Sequence, residues 1–192
     1  MKVILDSIIL ILAYIVGAFP TGVLLARWYG IDDITQHGSG NIGATNVGRK
    51  LGARGFITVF VGDAAKAWAY VQLVRWYGFS ENTVLFVGVA LLVGNSYSIF
   101  LQGKGGKGVA TSMGILLALE PMVCLIVFLV WALFYWYLKI VGIASVGAYF
   151  ILPLIAYFFQ PLNFSYLLFM VFMSAWGIMR HYANIQSYIR KL

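Results

Sequence analysis

Charged side chains are scarce in this sequence, and their scarcity excludes a soluble protein. Only 10% of the 192 residues are Asp, Glu, Lys or Arg, whereas 62% are hydrophobic. A soluble domain carries about 25% charged residues, and a chain this apolar is typical of a polytopic membrane protein. The composition therefore places the chain in a lipid bilayer.

Disulfide partners and metal ligands are also few. The single cysteine, Cys124, lies inside an apolar run, so the chain has neither a disulfide framework nor a cysteine cluster. Asp32 and Asp33 lack partner carboxylates at the spacing that a metal ion needs. We expect neither a metal nor another cofactor.

Apolar runs of roughly the 20 residues needed to cross a bilayer predict an all-α fold, a single integral membrane domain over residues 1–192. Seven runs are candidate spans: Val3–Ala26, Phe56–Tyr77, Thr83–Leu101, Val109–Leu119, Met122–Leu138, Ile143–Phe159 and Phe164–Met179. Val109–Leu119 is too short to cross unaided, so six spans are the alternative. Glu120-Pro121 after it marks either a hairpin tip or a break in one long helix.

Basic residues predict the orientation. They outnumber acidic residues by 13 to 6, an excess that in a membrane protein marks topology and attracts anionic lipid headgroups; a nucleic-acid partner is not needed to explain it. With the amino terminus outside, ten basic residues fall on the cytoplasmic side: Arg27, Arg49, Lys50, Arg54, Lys104, Lys107, Lys139, Arg180, Arg190 and Lys191. Only Lys2 and Arg75 fall outside, and Lys66 lies within a span. The carboxy terminus is then cytoplasmic.

A polar segment, Gly38–Arg49, interrupts this apolar chain, and we call it the first glycine loop. Its four glycines, short polar side chains and terminal arginine are suited to an anion, because glycine lets backbone N–H groups approach closely and arginine binds phosphate oxygens in pairs. The alternative is a flexible connection between two spans.

A second polar segment, Gly103–Thr111, has the same character, and we call it the second glycine loop. It follows a predicted span and opens a helix, so free N–H groups lie at a positive helix terminus beside Lys104 and Lys107. No βαβ unit surrounds its G-x-G-x-x-G pattern, and Val109 stands where a P-loop needs lysine, so dinucleotide and ATP binding are unsupported. Alternatively, the two lysines are topology markers.

Two further features carry chemistry. Asp63 and Lys66 are spaced to pair on one face of the second span, either to fix packing or to shape a site. His181 follows the last span, where it could serve a phosphate or a hydroxyl proton, or merely mark the membrane boundary.

These clusters, in this order on this hydropathy profile, resemble the PlsY family of bacterial integral-membrane enzymes, which transfer a fatty acyl group from acyl phosphate to glycerol 3-phosphate. The resemblance covers essentially the whole chain. It is most specific in Ser39-Gly40-Asn41, in Gly43-Ala44-Thr45-Asn46 with Arg49, and in the second glycine loop. It implies a helical bundle in the bacterial cytoplasmic membrane, with a site that faces the cytoplasm.

The resemblance also implies roles for individual residues. Four would be catalytic: Ser39, Arg49, Lys104 and His181. The others would bind substrate: Gly40, Asn41, Thr45, Asn46, Gly103, Gly105, Gly106, Lys107, Gly108, Thr111, Ser145 and Asn184.

Five positions depart from the family pattern. Asn95 stands where histidine is usual, Ser98 replaces a proline, Gly142 a serine and Ala67 a glycine, and Ala183 stands where glutamate is common. The chain therefore resembles a divergent member of the family.

The expected reaction is direct attack by the 1-hydroxyl of glycerol 3-phosphate on acyl phosphate, which gives lysophosphatidic acid. The proton would go to His181 or to a substrate phosphate oxygen. Two other classes fit a small basic membrane protein: a transporter or flippase for a phosphorylated solute, although no internal symmetry is evident, and a non-catalytic scaffold. Membrane lipids are the only other partners expected.

Overall fold

The computed structural model describes residues 2–190, and all regular structure among them is helical. The all-α prediction is thus confirmed over these residues, whereas Lys191 lies outside the described residues. Two compact units make up the fold, Met1–Ala118 and Leu119–Leu192.

In the first unit, each glycine loop follows a short 3-10 turn and ends in the first turns of a helix. The helices are α1 (Lys2–Ala18), α2 (Thr21–Trp28), α3 (Ala44–Trp76), α4 (Glu81–Ser96) and α5 (Val109–Leu119). The 3-10 turns are Ile34–Gln36 before the first loop and Ile99–Leu101 before the second.

The second unit is a helical hairpin extended by two more helices. Its helices are α6 (Pro121–Leu138), α7 (Val141–Phe159), α8 (Phe164–Arg180) and α9 (Tyr182–Ile189). Helix α7 packs between α6 and α8, and the short α9 lies against α7 and α8. Helix α5 ends at Leu119 and α6 begins at Pro121, with Glu120 between them.

Within the described residues, four helical stretches are long and apolar enough to cross a membrane: Val3–Trp28, Glu81–Leu101, Pro121–Leu138 and Val141–Phe159. Val109–Leu119 and Phe164–Arg180 are apolar but shorter. The seven-span count and the orientation stay predictions.

The first two predicted spans differ in detail from the helices observed. The run Val3–Ala26 is broken at Phe19-Pro20, because proline lacks the N–H that would continue the hydrogen-bond ladder. Helix α3 begins at Ala44 rather than near Phe56, and it is kinked at Gly52, whose φ of 73° and ψ of −166° suit glycine alone.

Small residues let α1 and α4 cross with their backbones in contact. A Cβ atom on Gly94 would overlap the Tyr14 carbonyl and lie 2.8 Å from the Ala18 nitrogen, and one on Gly17 would overlap the Leu91 carbonyl. Nearby, the Tyr14 hydroxyl donates to the Tyr97 carbonyl over 2.7 Å. Such close crossings are the usual means by which helices associate in lipid.

The predicted pairing of Asp63 with Lys66 is confirmed. The Lys66 Nζ lies 2.8 Å from Asp63 Oδ1, and the Thr21 hydroxyl donates to the same carboxylate oxygen over 2.8 Å. The pair thus links α3 to the start of α2.

Candidate anion-binding site

One buried amide shapes the first glycine loop from inside. Asn46 is 2% exposed. Its Oδ1 accepts the Ser39 N–H over 2.8 Å, and its Nδ2 donates to the carbonyls of His37 (2.9 Å) and Ile34 (3.2 Å). Both amide protons of Asn46 are thereby committed to the loop, although the sequence predicted a substrate contact at this position.

The outer surface of the same loop carries the groups suited to an anion. Ser39 and Arg49 are exposed, and Thr45 is half-buried. Helix α3 begins directly after Gly43, which caps it without a side-chain hydrogen bond. The first N–H groups of a helix have no partner within it and form a positive pole, so this helix start adds to the charge of Arg49.

Two glycines in the first loop are required by its backbone. Gly38 and Gly40 have φ values of 57° and 69°, in the left-handed region that favours glycine. A side chain on Gly38 would also overlap Asn46 Oδ1. The glycine-rich composition therefore reflects a defined turn rather than general flexibility.

The second glycine loop lies directly on the end of α4. A Cβ atom on Gly105 would overlap the carbonyls of Asn95 and Ser96, and the Gly106 N–H donates to the Asn95 carbonyl over 2.8 Å. The Asn95 Oδ1 lies 3.0 Å from the position of a Gly106 Cβ. Asn95, one of the departures from the PlsY pattern, is thus part of the floor of this loop.

The second loop presents lysine outward and holds a hydroxyl within. Lys104 is exposed and Lys107 is half-buried. Thr111, in the first turn of α5, is fully buried, and its hydroxyl has no hydrogen-bond partner among the described residues. Buried polar groups are nearly always satisfied, so this hydroxyl is a candidate for a bound oxygen atom.

The two glycine loops are neighbours because they share one hydrophobic cluster. Ile34 before the first loop and Ile42 and Val47 within it are buried in this cluster, and Leu101, just before the second loop, packs against it. Asp33, just before the first loop, has a pKa lowered chiefly by hydrogen bonds from the Thr35 hydroxyl and backbone N–H and from Gln36, with a small further contribution from the positive charge of Lys104 in the second loop.

His181 lies in the second unit with its ring orientation fixed. It is 2% exposed, and its Nδ1 lies 2.7 Å from the Gly177 carbonyl. Because a carbonyl only accepts, Nδ1 must donate, and the lone pair of the neutral ring is on Nε2. Tyr149 packs beside the ring, with centroids 6.1 Å apart. This tautomer suits a base that acts through Nε2.

Two other predicted residues of the second unit lie near the start of α7. Ser145 is buried; its hydroxyl donates to the Val141 carbonyl over 3.0 Å and accepts the indole N–H of Trp131 over 3.2 Å. Asn184, on α9, has its amide against Gly142, where a Cβ atom would overlap it. The absence of a side chain at Gly142 thus makes room for Asn184.

The comparison with known proteins decides the family. The sequence model of the family described as glycerol-3-phosphate acyltransferase matches residues 7–191. The chain belongs to the glycerol-3-phosphate acyltransferase family. The predicted membership of the PlsY family is confirmed.

Curated relatives carry the same description. The glycerol-3-phosphate acyltransferase of Syntrophotalea carbinolica is 40% identical over 180 residues, which are 93% of this chain and 91% of that protein. The Neisseria meningitidis serogroup C enzyme is 35% identical over 93% of this chain and 90% of its own length.

Two solved structures are similar throughout. Both are PlsY (YgiH), an integral membrane glycerol 3-phosphate acyltransferase, and each covers 97% of this chain and 92% of its own. The glycerol 3-phosphate form has a TM-score of 0.90 at 33% identity, and the lysophosphatidic acid form 0.86 at 34%. These matches give no support to the transporter alternative.

Residues that hold the predicted site residues in place differ in how much signal they give in the sequence. Trp131 gives no sequence signal for its bond to Ser145, because its partner is brought close only by the packing of α6 on α7. Ser98 stands out in the sequence for replacing a proline, but no sequence pattern indicates its bonds to the second glycine loop and to α1. Lys66 was singled out because a charge within a span is rare.

Proposed function

We propose that this protein transfers a fatty acyl group from acyl phosphate to the 1-hydroxyl of glycerol 3-phosphate. The hydroxyl oxygen bonds to the acyl carbon, the bond from that carbon to the phosphate oxygen breaks, and inorganic phosphate leaves with lysophosphatidic acid as the other product. Family membership and the two PlsY forms, one with glycerol 3-phosphate and one with lysophosphatidic acid, support this assignment.

The observation that carries the proposal is the proximity of two cationic glycine loops on one hydrophobic cluster. Both substrates are phosphates, and each loop offers a helix start, close backbone approach and an exposed basic side chain. In the proposed mechanism Arg49 and Lys104 are catalytic and hold the phosphates with Lys107. The glycines supply backbone N–H groups, while Ser39, Asn41, Thr45 and Thr111 supply side-chain contacts.

Little further activation is needed, because acyl phosphate is already a mixed anhydride. Alignment of the hydroxyl with the acyl carbon and preorganised positive charge would supply most of the rate enhancement. The leaving phosphate gains negative charge as its bond to carbon breaks, and this charge is what Arg49 and Lys104 would stabilise. No nucleophilic side chain takes part.

The hydroxyl proton goes either to His181 Nε2 or to a phosphate oxygen of a substrate. Ser145 and Asn184 would assist in binding. A His181→Ala variant separates the two bases: a loss of kcat by about 100-fold or more indicates general base catalysis, whereas an unchanged kcat assigns the proton to the substrate phosphate.

The activity is tested with the purified full chain in detergent, supplied with acyl phosphate and glycerol 3-phosphate. The expected products are lysophosphatidic acid and free phosphate in equal amounts. Arg49→Ala and Lys104→Ala should each lower kcat/KM by about 10- to 100-fold, because each removes a charged hydrogen bond to phosphate. Arg190→Ala, a basic residue outside both loops, is the control.

The donor is tested separately. Acyl transfer at an equal rate from acyl-CoA or acyl carrier protein would contradict the acyl phosphate assignment while leaving the acceptor intact. We further propose that the site faces the cytoplasm in the bacterial inner membrane, where the exposed apolar helix faces contact lipid.

A further inference from the structure

Two adjacent carbonyls at the break between α1 and α2 accept hydrogen bonds from side chains on other helices and loops. Helix α1 ends at Ala18, so the carbonyls at its end lack the N–H groups of a following helical turn, and unpaired backbone groups within a membrane are costly. The backbone supplies one partner, because the Thr21 N–H donates to the Phe19 carbonyl over 3.1 Å. The side-chain partners are residues that the reaction described above does not use. Ser98 Oγ donates to the Ala18 carbonyl over 2.6 Å, and Lys66 Nζ donates to the Phe19 carbonyl over 2.6 Å.

Ser98 is the base of the second glycine loop. Its backbone N–H donates to the Lys104 carbonyl over 3.1 Å, and its own carbonyl accepts from Gly103 over 2.9 Å. Its hydroxyl also accepts the Phe100 N–H over 3.2 Å. The residue is 1% exposed. The backbone on either side of Lys104 is therefore tied, through one serine, to the end of α1.

Lys66 connects the same break to the helix that starts at the first glycine loop. It lies on α3, and its ion pair with Asp63 brings in the Thr21 hydroxyl at the start of α2. Helix α2 in turn contributes Val23 and Ala26 to the hydrophobic cluster that contains Ile42 and Val47 of the first loop. The second glycine loop is thus connected to the Ala18 carbonyl by hydrogen bonds. The first is connected to the Phe19 carbonyl through Lys66 and then through the apolar packing of α2.

We propose that Ser98 and Lys66 are positioning residues, which set the separation of the two phosphate-binding loops through the carbonyls of Ala18 and Phe19. This inference rests on the proposed function, in which Lys104 and Arg49 hold phosphates. Neither Ser98 nor Lys66 touches substrate. Loss of either connection changes how well both phosphates are aligned at once, so it affects catalysis more than stability.

The first test is Ser98→Ala, compared with Ser98→Thr and with the control Ser7→Ala. Ser7 makes the same kind of bond, from its hydroxyl to the Val3 carbonyl over 2.9 Å, but far from the break. We expect Ser98→Ala to lower kcat/KM by about fivefold, the equivalent of one net hydrogen bond, with a higher KM for at least one phosphate substrate. Ser98→Thr keeps a hydroxyl and should recover most of the loss.

The second test removes the Lys66 connection without leaving a buried charge alone, since an unpaired Asp63 would itself destabilise the fold. The double variant Asp63→Asn with Lys66→Met is neutral and loses the bond to Phe19. Its control is Tyr70→Phe, which removes another bond from α3 to α1, that of the Tyr70 hydroxyl to the Ile9 carbonyl over 2.8 Å. The double variant should lower kcat/KM at least fivefold more than the control does, at a similar Tm.

Two results would overturn the inference. The first is that Ser98→Ala and the double variant have the same kinetic constants as their controls. The other is a loss of activity that only follows a fall in Tm. Failure of the proposed function looks different, because the unaltered chain would then form no lysophosphatidic acid at all.

Discussion

At the scale of single residues, substitutions of Asn46 and Ser39 distinguish a residue that shapes the first glycine loop from one that contacts the ligand. Asn46 makes three hydrogen bonds to the first glycine loop and the residues just before it, whereas Ser39 is exposed. Asn46→Ala should lower the free energy of unfolding by about 2–4 kcal/mol, because each buried bond contributes about 1 kcal/mol, and it should reduce activity as well.

Ser39→Ala is the matched comparison and should reduce activity with little change in Tm. Thermal unfolding measured beside steady-state kinetics checks both expectations. A stable, inactive Asn46→Ala would instead make Asn46 a direct substrate contact.

Substitution of Asp33 tests how a negative charge near Lys104 affects phosphate binding. The lowered pKa of Asp33 keeps this carboxylate charged above about pH 4; its contribution to stability is therefore present above that range and lost only as pH falls through the lower folded value. Asp33→Asn should lower the KM for a phosphate substrate by about twofold or less, because an exposed charge is screened.

Kinetics at low and high salt check the Asp33 prediction, with Asp32→Asn as control. The effect should disappear in high salt, and the shape of the rate profile between pH 5 and pH 9 should not change. A higher KM in Asp33→Asn would contradict the expectation that the Asp33 carboxylate weakens binding of the phosphate substrate.

Substitution of Gly142 by serine should lower activity with little loss of stability. A serine at this position would overlap the Asn184 amide and place its Cβ atom 3.2 Å from the Asn184 Cβ, so Asn184 must turn away. If Asn184 binds substrate, Gly142→Ser should lower kcat/KM about tenfold at a nearly unchanged Tm. Ala183→Ser, an exposed neighbour of Asn184, is the control and should keep its activity.

At the scale of helices, the crossing of α1 over α4 is the packing most sensitive to size. Gly94→Ala adds a Cβ atom against backbone that has no side chain to move away, so we expect a loss of about 1–3 kcal/mol in the free energy of unfolding. Phe86→Leu on the exposed side of α4 should have little effect. Equal stability of the two variants in thermal unfolding would show that the helices separate easily.

Helix boundaries could be predicted where apolar runs end at turn-forming residues, but not where a run hides a break. Val109–Leu119 was predicted with the bounds that α5 has. The break at Pro20 was missed because both sides of it are apolar. The early start of α3 was missed because Gly48, Lys50 and Gly52 are typical of a loop.

The candidate site could likewise be predicted only in part. The composition of the glycine loops predicted that they suit an anion, because glycine lets the backbone approach a ligand closely and basic residues carry positive charge. The contacts made by Asn46, Ser98 and Trp131 depend on which residues the fold brings together, and no local pattern in the sequence encodes those pairs.

At the scale of the whole molecule, cysteine labelling tests the orientation and the span count. In a Cys124→Ser background, an impermeant maleimide should label Asn82→Cys and Leu162→Cys from outside the cell. Gln36→Cys and Lys139→Cys should react only after the membrane is opened. If Val109–Leu119 does not cross, Leu162→Cys will be protected in intact cells, and six spans will replace seven.

The kink at Gly52 has a consequence for how the enzyme tolerates different membranes. Because the backbone changes direction there, the stretch that bears Arg49 has a different axis from the part of α3 that continues to Trp76. A thicker or thinner bilayer can be met by tilting of the longer part, while the amino end of the helix keeps its depth among the lipid headgroups. A left-handed glycine would thus allow the proposed phosphate-binding loop to work in membranes of different lipid composition.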